Sequence, residues 1–213
     1  MRRVPVPVLA VLLAAAALAG RPGPAAAQQE YPVIPDPSDC QSQQPRPVDE
    51  ALALWYGPDG SPVAAPPAEG APAEATIPLG DPADADTVAA VEETVIAVFS
   101  CFAAGEFLTA TAYFTDDLVA GLGPEFGTSE AEAREFLENP EPEEGGRILA
   151  ITDMMDLADG RVGAFVVEQT GGDPPLSSYA IFVEGEDGGW LVDEIVEFST
   201  PTFEEGEEGT PAP

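Results

Sequence analysis

Carboxylates are the side chains of this chain that could carry acid–base chemistry, because it has 39 acidic residues and no His. All of its cationic side chains are Arg. Without His, the usual general base, the usual zinc ligand and every Ser-His or Cys-His pair are excluded. Without Lys, Schiff-base and P-loop chemistry are excluded too. We predict no catalytic residue and no cofactor.

Two arrangements of carboxylates could still do chemistry. The adjacent pair Asp116 and Asp117 could serve as acid and base, but we favour the alternative that they cap the turn of helix that follows. The window 81–92 could be an EF-hand loop, but Ala83 and Ala85 stand at two of its ligand positions. We therefore predict no metal site, while diffuse and weak Ca²⁺ binding stays open.

Aromatic residues are the second candidate group. Trp55, Tyr56, Tyr113 and Trp190 could line a pocket for an apolar ligand, since such pockets are rich in aromatic side chains. The alternative is ordinary packing in the core and along strands, which we favour. Of these four residues, we keep Trp55, Tyr113 and Trp190 as candidate pocket residues.

The first 27 residues have the organisation of a signal peptide. Arg2 and Arg3 precede an apolar run at 8–18, and small residues end in Ala27 before Gln28. A membrane anchor is the alternative, but the run is shorter than the ~20 residues that a span needs. We predict export, cleavage near Ala27 and an extracytoplasmic, secreted protein.

The charge of the exported chain limits its partners. Beyond residue 27 lie all 39 acidic residues and four Arg, which gives a net charge of −35. A field of that sign repels nucleic acid and anionic lipid, so we predict neither nucleic-acid binding nor membrane binding after signal cleavage. Solubility outside the cell is the simpler reading of this charge, and cation binding is the alternative.

Cys40 and Cys101 are the two cysteines of the sequence, and we predict that they form a disulfide. Export would place them where disulfides persist. Cys101 falls on a flank of small residues along a predicted helix, where another segment can approach closely. The alternative is a buried free thiol at Cys101 and an incidental Cys40.

The elements that must position these residues follow from the hydrophobic pattern. A long helix begins at Asp84 or Asp86 and ends at Gly105. Its apolar stripe faces the core, and its opposite side, including Ser100, is predicted to be exposed. A short helix follows at 107–114, the stretch after Asp117 reads as a turn, and a third helix follows Ser129.

Four strands are predicted at 147–157, 161–170, 178–184 and 190–198, with hairpin signals at 158–160 and 186–189. Helices followed by an antiparallel sheet make an α+β fold. The predicted organisation also has a Pro/Ala-rich arm at 28–84, which carries a short helix near 47–56. A disordered acidic tail is predicted at 200–213.

Two motifs resemble those of NTF2-like domains, also called SnoaL-like, which occur in secreted bacterial proteins. FAAGEFLTATAYFTDDL at 102–118 is similar to the junction of the family's first two helices. GGWLVDEIVEF at 188–198 is similar to its closing strand. The resemblance implies an NTF2-like cone at 85–199, in which N-terminal helices pack on a curved antiparallel sheet. Such domains often dimerise through the sheet, so a homodimer stays open.

The enzymes of this family use residues that the chain lacks or places differently. The isomerase type has an Asp after the second helix, where 118–123 reads LVAGLG, and the cyclase type relies on His. The epoxide-hydrolase type has an Asp-Arg-Asp set, for which Arg147, Asp153 and Asp156 are the candidates. We favour the reading of these three as strand-edge or solvated residues.

The resemblance thus implies an exported, non-catalytic domain that binds a small apolar ligand or a protein partner. Its candidate pocket residues are Trp55, Tyr113, Arg147, Asp153 and Trp190. One alternative is a carboxylate-dependent isomerase or hydrolase of the SnoaL-like kind. Another is an acidic spacer at the cell surface.

Overall fold

The computed structural model describes residues 29–40, 43–63, 77–123, 129–142 and 145–198. The predicted signal peptide and acidic tail lie outside these residues. The helices are α1 (Val48–Trp55), α2 (Ala85–Ala104), α3 (Phe107–Ala110), α4 (Asp116–Leu122) and α5 (Glu130–Glu138). The strands are β1 (Gly80–Pro82), β2 (Arg147–Leu157), β3 (Val162–Gln169), β4 (Leu176–Glu184) and β5 (Trp190–Phe198).

The five strands form one open antiparallel sheet in the order β1-β2-β3-β4-β5. The four long strands agree with the prediction, and the α+β class is confirmed. The short strand β1 was not predicted, because Gly80-Asp81-Pro82 has none of the β-branched or aromatic residues that mark a strand. It pairs with the end of β2 and covers part of that strand's outer edge.

Helix α2 begins and ends as its sequence predicts. The Asp84 side chain accepts hydrogen bonds from the backbone N–H groups of Asp86 and Thr87, both at 2.9 Å. Gly105 takes the left-handed conformation with φ 73°, and its N–H bonds to the carbonyl groups of the last turn. By length and composition alone α2 could cross a membrane, but seven of its residues are buried in the core.

Three local predictions in the helical region were wrong. Ser100 was expected to be exposed and is fully buried. It adjoins Cys101, where the arm packs on α2. The stretch after Asp117 was expected to be a turn and is helix α4, whose N-cap is Thr115 rather than the two aspartates. The Thr115 hydroxyl accepts from the Leu118 N–H at 3.3 Å, while Asp116 and Asp117 lie in the first turn.

The segment before α2 packs on the domain at several points. Val33 exchanges two backbone hydrogen bonds of 2.9 Å with Ile148 at the start of β2. Helix α1 packs against α4 and α5, and its Trp55 donates its indole N–H to the Val119 carbonyl at 2.6 Å. A Cβ at Gly123 would approach the Trp55 ring to 2.5 Å, so glycine is needed there. Much of the predicted arm is thus part of the core.

Both faces of the sheet carry buried apolar residues. Val162, Ala164 and Val166 point toward α2 and belong to the main core. On the other face, Phe165 contacts Tyr179 edge-on, with ring centroids 5.1 Å apart. This face forms a smaller cluster with Leu157 and Ile181, against which Ile77 of the arm packs.

Candidate functional site

A cavity of about 200 Å³ lies between α2 and the face of the sheet formed by β3, β4 and β5. Its wall is aliphatic and aromatic except for two polar residues, Glu168 and Ser178. The other residues that line it are Val95, Val98, Phe99, Phe102, Phe114, Val166, Leu176, Ala180, Phe182, Val192 and Ile195.

The cavity exists because of the side chains that face each other across this layer. Helix α2 contributes the larger side chains of its apolar stripe to one wall, among them Val95 and Phe102. Strand β4 contributes the small side chains of Ser178 and Ala180 to the facing wall, and they leave the intervening space unfilled. Ala164 lies directly across from Ala180 on β3, but it is fully buried and does not line the cavity.

The cavity is lined by two polar side chains, one carboxylic acid and one hydroxyl. Glu168 is half-buried on β3, and it is the ionisable side chain that lines this cavity among the described residues. Ser178, on β4, is buried. A ligand in this space would therefore contact mainly hydrocarbon and aromatic carbon, with one carboxylate and one hydroxyl able to orient it.

A second cavity, of about 360 Å³, adjoins the first. Three residues line both spaces, namely Phe102, Phe114 and Ile195. The other residues of the second cavity are Gly105, Phe107, Leu122, Phe136, Pro140 and Glu141. Phe107 and Phe136 meet edge-on, with ring centroids 5.2 Å apart, and form one wall.

Two of the predicted pocket residues come together in a different place. Tyr113 and Trp190 line a groove of about 730 Å³ that runs beside α2 and the start of β5. Glu92 and Glu93 lie on its helical side, and the Thr94 hydroxyl donates to the Trp190 carbonyl at 3.5 Å. This groove is wider and more polar than the cavity under α2.

The other three predicted pocket residues line neither the two cavities nor the groove. Trp55 is packed among α1, α4 and α5. Arg147 is exposed at the start of β2 and donates to Gln169 Oε1 at 3.1 and 2.6 Å. Asp153 is exposed in the irregular part of β2, with φ 52°. Neither Arg147 nor Asp153 lines the cavity.

The predicted disulfide between Cys40 and Cys101 is present, with a Cα–Cα distance of 4.6 Å. Both cysteines are buried. Tyr31, which also belongs to the arm, donates its hydroxyl to Glu92 Oε1 of α2 at 2.9 Å. Burial, and next the hydrogen bond to Glu92, raise the pKa of Tyr31 above its ordinary value. A covalent bond and a polar contact thus hold the start of the arm on α2.

Arg46 is a key residue that the sequence reasoning did not single out. Its buried guanidinium donates to Asp116 Oδ1 at 2.6 Å and to Glu50 Oε1 at 3.0 Å. It also donates to the carbonyls of Thr111, at 3.4 Å, and Phe114, at 3.1 Å. The signal was present in the composition, because an Arg among so many acids is expected to bind several of them. The partners depend on tertiary packing and could not be read from spacing.

Comparisons of the chain with protein families, with curated proteins and with solved structures find no match. Within the described residues, no three His, Cys, Asp or Glu side chains are grouped as metal ligands would be.

Proposed function

We propose that the protein is an exported NTF2-like domain that binds a small apolar ligand in the cavity between α2 and the sheet. The observation that carries this proposal is the concave, half-open cavity itself, since ligand sites are typically concave and largely apolar. Its lining of aliphatic and aromatic side chains with two polar groups has the chemistry of a ligand site.

The order of elements supports the NTF2-like part of the proposal. Two helices joined at Gly105 precede a four-stranded meander, and the two motifs that resemble the family lie at this junction and in β5. The disulfide is compatible with an extracellular location, which supports export. The chemistry that lines the cavity favours binding over catalysis, because its polar groups are one carboxylate and one hydroxyl.

A matched pair of variants tests the proposal. Ala180→Leu places a larger side chain in the cavity, while Ala164→Leu changes the directly opposite residue outside it. Binding of the uncharged apolar probe N-phenyl-1-naphthylamine is followed by fluorescence for both variants and for the unaltered protein. We expect binding to be lost in Ala180→Leu and kept in Ala164→Leu.

Two results would contradict the proposal: no binding to the unaltered protein, or equal binding to both variants. Circular dichroism shows whether each variant folds. If Ala164→Leu does not, Val167→Leu on the outer face of β3 replaces it as the control. Native mass spectrometry of the protein purified from its own source then identifies the ligand that it carries.

A further inference from the structure

We infer that the ligand is a single-chain amphiphile with a cationic head group, its head beside Glu168 and its tail in the second cavity. This inference rests on the proposed function and adds to it the shape and charge of the ligand. It is carried by the shared wall of the two cavities and by the sign of the ionisable groups that line them.

The wall between the cavities consists of side chains. Phe102, Phe114 and Ile195 each face both spaces, and the rings of Phe102 and Phe114 are tilted with centroids 6.4 Å apart. Ile195 is 41% exposed, so the wall reaches solvent at this residue. Because these three side chains line both spaces, we treat the two cavities as one site for a single ligand.

The second cavity suits the apolar tail. It is lined by Phe107, Phe136, Leu122 and Pro140, with Glu141 as its ionisable residue among those described. Glu141 is exposed, so water screens its charge. An alkyl chain can therefore pass Ile195 and contact aromatic and aliphatic carbon over most of its length.

The first cavity suits a cationic head. Glu168 is half-buried, so its charge acts through less water than that of Glu141. A cation there also lies near the phenylalanine rings of the wall, whose faces attract positive charge. The carboxylate of a fatty acid meets like charge instead, within a chain whose net charge is −32.

The test compares three ligands with the same dodecyl chain and different heads, below their micelle concentrations, by titration calorimetry on the full exported protein. They are dodecyltrimethylammonium, 1-dodecanol and dodecanoate. We expect the cation to bind at least tenfold more tightly than dodecanoate, with the alcohol between them. Tetramethylammonium, which lacks the chain, is the control for attraction to the acidic surface, and we expect it not to bind measurably.

Two variants locate the head group. Glu168→Gln should reduce the preference for the cation over the alcohol, while Glu141→Gln, which removes an exposed acid from the second cavity, should leave it. Ile195→Trp, which fills the shared wall, should weaken all three dodecyl ligands. If Glu168→Gln does not fold, the head-group comparison on the unaltered protein still decides.

The outcomes separate the two proposals. If no dodecyl ligand binds, the proposed function fails together with this inference. If all three bind with equal affinity, or dodecanoate binds best, only the ligand class is overturned. Binding of tetramethylammonium as tight as that of the dodecyl cation overturns it too, because the acidic surface would then account for the affinity.

Discussion

Small residues lie at both contacts of helix α2, the one with the arm and the one with the sheet, but only the first contact is tightly packed. On one side, the small residues Ala97 and Cys101 are buried beneath the arm, which is bonded to the helix through Cys40. On the other side, the small residues Ser178 and Ala180 of β4 face the helix and leave a cavity of about 200 Å³.

The difference shows that small residues do not have a single structural meaning. Where a segment of chain can reach them, they allow close approach and tight packing. Where small residues face bulky side chains instead, as Ser178 and Ala180 face Phe102, they border space that a ligand can occupy. Each prediction below alters one of these sides, or a contact that maintains it.

Removing the disulfide should have the largest effect. In the double variant Cys40→Ala/Cys101→Ala the covalent closure over a sequence separation of 61 is lost. Loss of the bond gives entropy back to the unfolded chain. For a loop of that size this lowers the free energy of unfolding by about 4 kcal/mol, as measured by denaturant unfolding. The effect should be local as well, so hydrogen exchange should rise more in residues 29–63 than in β3 and β4.

The reduced unaltered protein is the matched control, since it lacks the bond but keeps both side chains. It should resemble the double variant in stability and in exchange. Equal loss of protection across arm and sheet would contradict the view that the bond holds the arm in particular.

Replacing Arg46 by Met should have the next largest effect, because it removes the donor to two backbone carbonyls. The carbonyls of Thr111 and Phe114 lose buried partners, which costs about 2 kcal/mol in unfolding free energy. Arg134→Met is the control. Arg134 is half-buried, and the acids of α1 and α5 with which it pairs are largely exposed, so its loss should cost much less. Equal costs would show that burial of Arg46 is unimportant.

Ala164 and Ala180, which are paired across β3 and β4, should differ in the stability that each loses on enlargement to Leu. Ala164→Leu overpacks a fully buried position and should cost about 1–3 kcal/mol of unfolding free energy. Ala180→Leu enters the cavity, so we expect a cost below about 1 kcal/mol or a small gain. Thermal and denaturant unfolding measure both. A larger cost for Ala180→Leu would mean that the space cannot accept a side chain.

Much of the fold could be predicted because its signals are local. Periodicity and caps define α2, and the hairpin residues at 158–160 and 186–189 separate the long strands. The Cys40–Cys101 pair followed from their number and from the predicted export. The cavity could not be predicted, since it depends on the tertiary packing that places Ser178 and Ala180 of β4 across from α2. Strand β1 and the contacts of Arg46 likewise arise only when distant segments meet.

The N-cap of α2 should give the smallest effect, visible as a dependence on pH. Hydrogen bonds from the backbone N–H groups, first of all from Thr87, lower the pKa of Asp84 below its ordinary value of 3.8. A carboxyl group whose pKa is lower in the folded protein contributes stability that is fully present above the unfolded value and is lost as pH falls through the folded value.

Asp84→Asn keeps a capping side chain but does not titrate, so its stability relative to the unaltered protein should rise as pH falls below about 3.8. Asp86→Asn, which leaves both bonds to Asp84 in place, should keep the pH dependence of the unaltered protein. The measurement is the difference in unfolding midpoint between each variant and the unaltered protein from pH 6 to pH 2. A constant difference for Asp84→Asn would show that the cap bonds do not favour the ionised carboxylate, and that α2 is held at this end by packing alone.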